Sequence, residues 1–171
     1  MIIEKTLEAL KKLQGQCYTG EGDFEEFVCK YNPPLTLEEI RSFESKNKCI
    51  IPEDYKAFLL ESNGMKFNIS GELSLFSIQE IVESLKIMHD MCDGYKKGIY
   101  PIGFCLDDNI VIKSDEIPTG KYIYACDCYC GDEYFSLDCN FETFLDRYLI
   151  TNACKYWRWI YPREYFNFLN N

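Results

Sequence analysis

Ile50-Ile-Pro-Glu-Asp-Tyr-Lys-Ala-Phe-Leu-Leu-Glu-Ser-Asn-Gly64 is the stretch from which the rest of the fold is read. It predicts a short helix with both ends written in. Pro52 suits a first turn, where its missing N–H costs nothing. Glu53 and Asp54 put negative charge at the positive end of the helix dipole. Tyr55, Phe58, Leu59 and Ser62 recur at i, i+3, i+4 and i+7, so three large apolar groups share one face. Asn63-Gly64 predicts the stop, because glycine tolerates the left-handed backbone that closes a helix. None of these residues is chemically reactive, and the segment reads as a docking helix.

Just upstream, Thr36 and Glu39 have the spacing of a capping box. They open a helix through Leu37, Ile40 and Phe43 to about Lys48, and the link Cys49–Ile51 makes the two helices a tight N-terminal hairpin. Further back, Ile3, Leu7, Leu10 and Leu13, with Gly15 beyond, predict an amphipathic helix. From Gln16 to Pro34 periodicity fades while Gly20, Gly22, Asn32, Pro33 and Pro34 punctuate the chain. That reads as a connector with one turn of helix around Asp23 to Lys30.

Downstream of Gly64 the pattern switches to alternation. Leu73 and Leu75 mark a short strand. Ser77 and Glu80 repeat the capping box, and Ile78, Ile81, Val82 and Leu85 line a helix to about Met91. Asp93-Gly94 and Gly98 mark a loop, and Tyr100 to Cys105 a strand that Pro101 assigns to an edge or a start. Asp107-Asp108-Asn109 reads as a hairpin turn before Ile110-Val-Ile112, and Pro118 to Gly120 as a second turn. Lys121 to Cys130 is the longest strand expected, turned by Gly131-Asp132 into Tyr134 to Leu137. Asn140 caps a last helix with Phe141, Phe144, Leu145 and Tyr148.

This order predicts an α+β fold, a mainly antiparallel sheet of about five to six strands packed against helices. The expected organisation is one domain over 1–171. Its core covers 36–149, 1–34 supply the first helix and connector, and 150–171 form an aromatic extension. The extension carries Trp157, Trp159, Tyr161, Tyr165, Phe166 and Phe168, with Pro162 placed to start a short helix. So many rings must be buried, against the domain or against another chain.

The chain has 171 residues, 47% hydrophobic and 16% aromatic, enough for a packed core. No apolar run approaches the roughly 20 residues of a membrane span, and the start Met-Ile-Ile-Glu-Lys carries no secretory pattern. The expectation is a cytoplasmic protein. Its 28 acidic and 18 basic residues give a net charge of −10, which argues against nucleic acid and membrane and suits a basic protein partner. The ten cysteines are scattered and expected to be reduced, not a disulfide framework.

Candidate chemistry is sparse. Cys126, Cys128 and Cys130 alternate, so a strand would point them to one face with Tyr122 and Tyr124. Thiols two apart on a strand lie roughly 6.5 Å from each other, too far for a zinc pair without a bend. Cys139 is the one available fourth ligand. No metal and no cofactor are expected, and these cysteines read as small core residues. His89 reads as a surface residue, since Asp90 next to it lies on a different helix face and cannot orient it as a base. No nucleophile elbow or phosphate-cradling glycine loop occurs. The acids Asp107, Asp108, Asp115, Glu116, Asp127, Asp132, Glu133 and Asp138 crowd the strand-and-turn half. They read as solvated turns or as a negative surface, with Asp107, Asp108, Asp127, Asp132 and Glu133 as the candidate partner interface.

The motifs Leu37-Glu-Glu-Ile40, Ile51-Pro-Glu-Asp-Tyr55, Phe58-Leu59 and Asn63-Gly64 resemble the SUKH superfamily, the Smi/Knr-like proteins. Leu75-Phe-Ser-Ile-Gln-Glu-Ile81, Tyr100-Pro-Ile-Gly103 and Asn140-Phe-Glu-Thr-Phe-Leu145 extend the resemblance over roughly Thr36 to Leu149. Its residues Pro52, Tyr55, Phe58, Leu59, Asn63 and Gly64 are structural. The resemblance implies a binding scaffold without shared catalytic residues. Bacterial members are widely immunity proteins that bind toxins, often nucleases or deaminases, and fungal members act in cell-wall assembly. The expected function is therefore a non-enzymatic immunity protein that neutralises a basic toxin domain by stoichiometric binding. The alternatives are a Smi/Knr-like scaffold in cell-wall or signalling assembly, or a metal-binding or enzymatic protein built on the Cys and Asp cluster.

Overall fold

The computed structural model describes residues 2–12, 15–18, 22, 24–67, 73–91, 98–126, 134–151 and 155–158. Helix α1 (Ile2–Lys12) is followed by strands β1 (Gly15–Tyr18), β2 (Phe24–Phe27) and β3 (Cys29–Tyr31). Helices α2 (Leu37–Asn47) and α3 (Glu53–Leu59) lead to β4 (Met65–Phe67) and β5 (Leu73–Leu75). Helix α4 (Ile78–Met91) precedes β6 (Ile99–Cys105) and β7 (Asp108–Lys113), then a 3-10 turn at Ser114–Thr119. Strands β8 (Ile123–Cys126) and β9 (Phe135–Ser136), helix α5 (Phe141–Ile150) and a 3-10 turn at Tyr156–Arg158 complete the order.

The fold is α+β. Strands β3 to β9 form one seven-stranded antiparallel meander in chain order, and β1 pairs with β2 in a separate hairpin. The connector expected between Gln16 and Pro34 is thus mostly strand, with Cys17 opposite Glu25 and Tyr18 opposite Phe24. Pro101 lies in an interior strand, not at an edge. It sits beside a register shift between Pro101 and Gly103, beyond the last residue pairing with β5, where a missing donor is tolerated. The longest described strand is β6; the expected strand at 121–130 is described only at Ile123–Cys126.

Alternation assigns the faces. Ile110 and Ile112 of β7 join the main core with Tyr100, Ile102 and Cys105 of β6, whereas Val111 joins a small cluster with Ile99 and Cys126 on the other side. All five helices contribute to the main core: Leu7 from α1, Ile40 and Phe43 from α2, Tyr55, Phe58 and Leu59 from α3, Ile81 from α4, and Phe141 and Phe144 from α5. Helix α3 is central and packs chiefly against α1 and α5. The rings of Tyr55 and Phe58 lie 4.7 and 5.2 Å from that of Phe141.

The helix starts are built as the spacing implies. Thr36 and Glu39 form the reciprocal capping box of α2, and Ser77 and Glu80 repeat it for α4, with 2.7 and 3.2 Å bonds. Asp54 serves two helices at once. Its Oδ1 accepts from Tyr55 N in its own first turn, and its Oδ2 accepts from Glu142 N at the start of α5. The Tyr122 hydroxyl donates to Asp54 and accepts from Phe141 N at 3.2 Å. Burial pushes the Tyr122 phenol far up, so it remains a donor.

Gly64 does not close α3. The helix stops at Leu59 with Leu60 still right-handed, and Gly64 instead makes the turn into β4 with φ +91°. Asn63 is the junction: its side chain accepts from Ile78 N and donates to Gln79 Oε1, while its backbone N–H donates to Pro33 O. Ser62, expected on the apolar stripe, is buried and donates to Gly64 O at 2.6 Å.

Two substitutions test this frame by urea unfolding. A methyl at Gly64 would meet Leu75 O and Ser77 N at 2.7 Å, so Gly64→Ala is expected to cost at least about 2 kcal/mol. Gly120→Ala, also at positive φ but in open space, should cost no more than about 1 kcal/mol; equal losses would contradict the clash. For the hydroxyls, Tyr122→Phe should cost about 2 kcal/mol by orphaning Phe141 N and removing one donor from Asp54. Tyr55→Phe removes a buried hydroxyl with no partner among the described residues, so it should be neutral or stabilising by about 1 kcal/mol.

Candidate protein-binding surface

The acidic half of the chain is organised by the β6–β7 hairpin. Its turn is Leu106-Asp107, not the expected Asp107-Asp108-Asn109, because Cys105 pairs with Asp108 and Asp108 already belongs to β7. Leu106 takes φ +56° and is 53% exposed. A leucine in the left-handed region carries a steric cost that a glycine would avoid.

This shift by one residue separates the two acids. Asp107 remains exposed, bonded to Lys155. Asp108 is 1% exposed and is clamped from the C-terminal side of the chain. Trp157 Nε1 donates to its Oδ2 at 2.7 Å and Arg158 Nε at 3.0 Å, while Arg158 Nη2 donates to Oδ1. Lys155 Nζ stands 3.4 Å from Oδ2. A forked guanidinium and an indole N–H satisfy a carboxylate that could not otherwise remain charged under cover. Burial raises the Asp108 carboxyl, but the Arg158, Trp157 and Lys155 contacts outweigh it and hold it below the ordinary carboxylate value. Of the expected interface, then, Asp108 is an internal anion and Asp107 an exposed one. Asp127, Asp132 and Glu133 lie outside the described residues.

The same clamp accounts for the described part of the aromatic extension. The Trp157 ring sits 5.8 Å from Phe144 and 6.5 Å from Tyr148 on α5, with Tyr156 edge-on to it at 5.1 Å. These rings pack on the chain's own core. Residues 159–171, including the expected helix after Pro162, lie outside the described residues.

The thiols do not converge where they can be described. Cys126 packs with Ile99 and Val111, whereas Cys139 belongs to the main core, its sulfur 3.9 Å from the Tyr156 hydroxyl. Cys128 and Cys130 lie outside the described residues. Among the described residues no group of His, Cys, Asp and Glu has metal-binding geometry. Burial pushes Cys105 and Cys49 up to about 12, and Cys29 and Cys139 up to about 11. Such thiols are protonated and unreactive at neutral pH. His89 is exposed, 3.7 Å from the equally exposed Asp90. On the second sheet face Lys113 Nζ lies over the Tyr124 and Tyr134 rings, at 3.9 and 4.6 Å from their centroids.

Around α3, Pro52 is the extended N-cap, not part of the first turn, Tyr55, Phe58 and Leu59 are core, and Asn63 and Gly64 form the turn into β4. Sequence reasoning missed the links of long separation: Tyr122 to Asp54, Trp157 and Arg158 to Asp108, and Glu142, whose carboxylate accepts from Ile3 N at 3.1 Å. The capping preference of acids at helix starts was the only local signal for any of them.

Comparison with known proteins points the same way as these structural residues. The model of the SMI1 / KNR4 family (SUKH-1) matches residues 34–147, from just before the α2 capping box into α5. The chain is 36% identical to "Uncharacterized protein YobM" of Bacillus subtilis (strain 168), over 93% of this chain and 92% of that protein. It is 28% identical to "Uncharacterized protein YnaB" of the same strain, over 78% of this chain and 89% of that one. The matched family range contains Asp108 but not the Lys155–Arg158 segment that clamps it.

Acid titration of stability tests the clamp. Because the folded Asp108 carboxyl lies below its unfolded value near 4, its contribution is present above pH of about 4 and lost as pH falls through the folded value. Asp108→Asn should therefore lower stability by about 2 kcal/mol at pH 7, a figure reduced for the half-exposed Arg158. The deficit should shrink towards pH 2, and a pH-independent difference would contradict the assignment.

Proposed function

The chain belongs to the SMI1/KNR4 family, SUKH-1, and from that premise we propose that it acts by binding another protein: an immunity protein that neutralises a toxin by stoichiometric occlusion. The partner is a basic toxin domain such as a nuclease or deaminase, met in the cytoplasm. Family membership carries this reading. Two physical features support it. A net charge of −10 attracts a domain that must be basic where it grips nucleic acid. Asp108 and Tyr122, two polar side chains that could be mistaken for chemistry, have their contacts with other parts of the fold. No described helix is long and apolar enough to cross a membrane.

In this reading the exposed acids steer encounter and do not supply the lifetime of the complex. Asp107 is the described member of that set, and Asp127, Asp132 and Glu133 are proposed with it. Asp108 is left out of the test, since its substitution would break the clamp. The experiment is affinity capture of the partner from the native host, followed by stopped-flow association with the captured domain. Asp107→Lys with Asp132→Lys and Glu133→Lys should slow association about tenfold at low salt, and the difference should collapse by about 0.5 M salt. Binding without loss of the partner's toxicity would favour an assembly scaffold. An unchanged association rate would remove the acidic surface from the reading.

A further inference from the structure

The β6–β7 hairpin ends in a two-residue loop, Leu106-Asp107, between the paired residues Cys105 and Asp108. Leu106 is at φ +56°, whereas Asp107 is not among the residues with positive φ. A positive φ at the first loop residue alone is the pattern that hairpins fill with glycine. A leucine there carries the steric cost of a left-handed backbone. Burial does not offset that cost, since Leu106 is 53% exposed and joins neither hydrophobic cluster. Phe104, two residues before it on β6, is 38% exposed and also outside both clusters, its ring 5.8 Å from that of Phe76.

A single exposed aliphatic side chain is ordinary, as Ile87 is on α4 at 44% exposure. Leu106 differs in two respects. The backbone at its position disfavours any side chain, and a second exposed apolar group lies two residues away. Residues in disfavoured backbone conformations persist where their surroundings fix them, and they cluster at binding sites. Here the surroundings do fix it. Directly after the loop, Asp108 is locked by Trp157 and Arg158, and Asp107 is bonded to Lys155. The loop is thus a rigid mount, and a contact made on it orders little backbone at the moment of binding.

We propose that Leu106, with Phe104 beside it, is the apolar anchor that enters a recess on the partner protein. The proposal rests on the protein-binding reading above and names the contact that sets the lifetime of the complex. The recess is apolar at its floor and basic at its rim. The floor follows from the two side chains offered to it. The rim follows from Asp107, whose side chain is 81% exposed on the same loop, and from the net charge of −10. A leucine desolvated in a close-fitting recess slows dissociation, whereas the exposed acids act on the approach. Salt separates the two contributions, because screening weakens the second and leaves the first.

The test is the dissociation rate of the partner domain captured from the native host, measured with full-length variants. Leu106→Gly supplies the residue that the loop conformation favours, so its urea midpoint should be unchanged or higher. Its complex should nonetheless dissociate at least about tenfold faster, at low salt and at about 0.5 M salt alike. Association should change by less than about twofold. Leu106→Met, apolar and of similar volume, should stay within about threefold of the wild type. Ile87→Ala removes an exposed aliphatic side chain elsewhere and should leave both rates unchanged. A lower midpoint for Leu106→Gly would show that the side chain packs within its own chain, and would overturn the proposal. So would an unchanged dissociation rate, or an equal acceleration by Ile87→Ala. Self-association of the wild-type chain that Leu106→Gly abolishes would place a second copy on the loop and overturn it as well. An unchanged dissociation rate leaves the protein-binding reading standing, whereas a wild-type chain that captures no partner removes that reading and this contact with it.

Discussion

Asn63 holds the structure at a point where five segments meet. Its backbone carbonyl accepts from Asn32 Nδ2 at 2.8 Å, its N–H reaches Pro33, and its side chain starts α4. Next to it, the O of Gly64 accepts from Asn32 N and from the buried Ser62 hydroxyl. The exit from β3, the approach to α2, the end of α3, the start of β4 and the start of α4 are therefore fixed relative to one another by a single turn. Gly64 is needed there because its backbone passes within a Cβ's reach of Leu75 and Ser77. The turn thereby sets where α4 begins and how β4 leaves α3.

Two further junctions extend the same logic to the rest of the chain. Asp54 shares its carboxylate between the first turns of α3 and α5, so the central and last helices are held at a common end. Asp108 fastens the 3-10 turn at Tyr156–Arg158 to the turn end of the β6–β7 hairpin. In each, the acid is shielded from water and the cost is offset by several donors at once. Most of what looks like chemistry in this chain is joinery of this kind. Asp107, by contrast, stays exposed beside the Asp108 clamp.

Local rules were legible in the sequence and remote ones were not. The capping boxes at Thr36 and Ser77, the cap at Asn140 and the apolar stripe of α3 all depend on residues three or four apart, and the structure has them. The β1–β2 hairpin was misread because Gly22 and the prolines dominate a stretch whose strands are four residues long. The pattern Cys17-Tyr18, glycines, then Phe24 and Phe27 was the available hairpin signal. Asp108 was misplaced for a subtler reason. A leucine at φ +56° is a poor turn former by every propensity, so Leu106 gave no hint that the turn began before Asp107. Among the candidate interface residues, burial separated two neighbours that charge counting treats alike.

The Asp108 clamp also bears on how the chain is made. Asp108 and Arg158 are 50 residues apart, and at about 5–20 residues per second a ribosome needs several seconds to pass from one to the other. During that interval β6 and β7 can pair by their local hairpin, but the carboxylate between them has neither its indole nor its guanidinium. Deep closure over an unmatched charge is unfavourable. Burial of the turn end of the β6–β7 hairpin over Asp108 is therefore favourable only once the last-made segment supplies its donors.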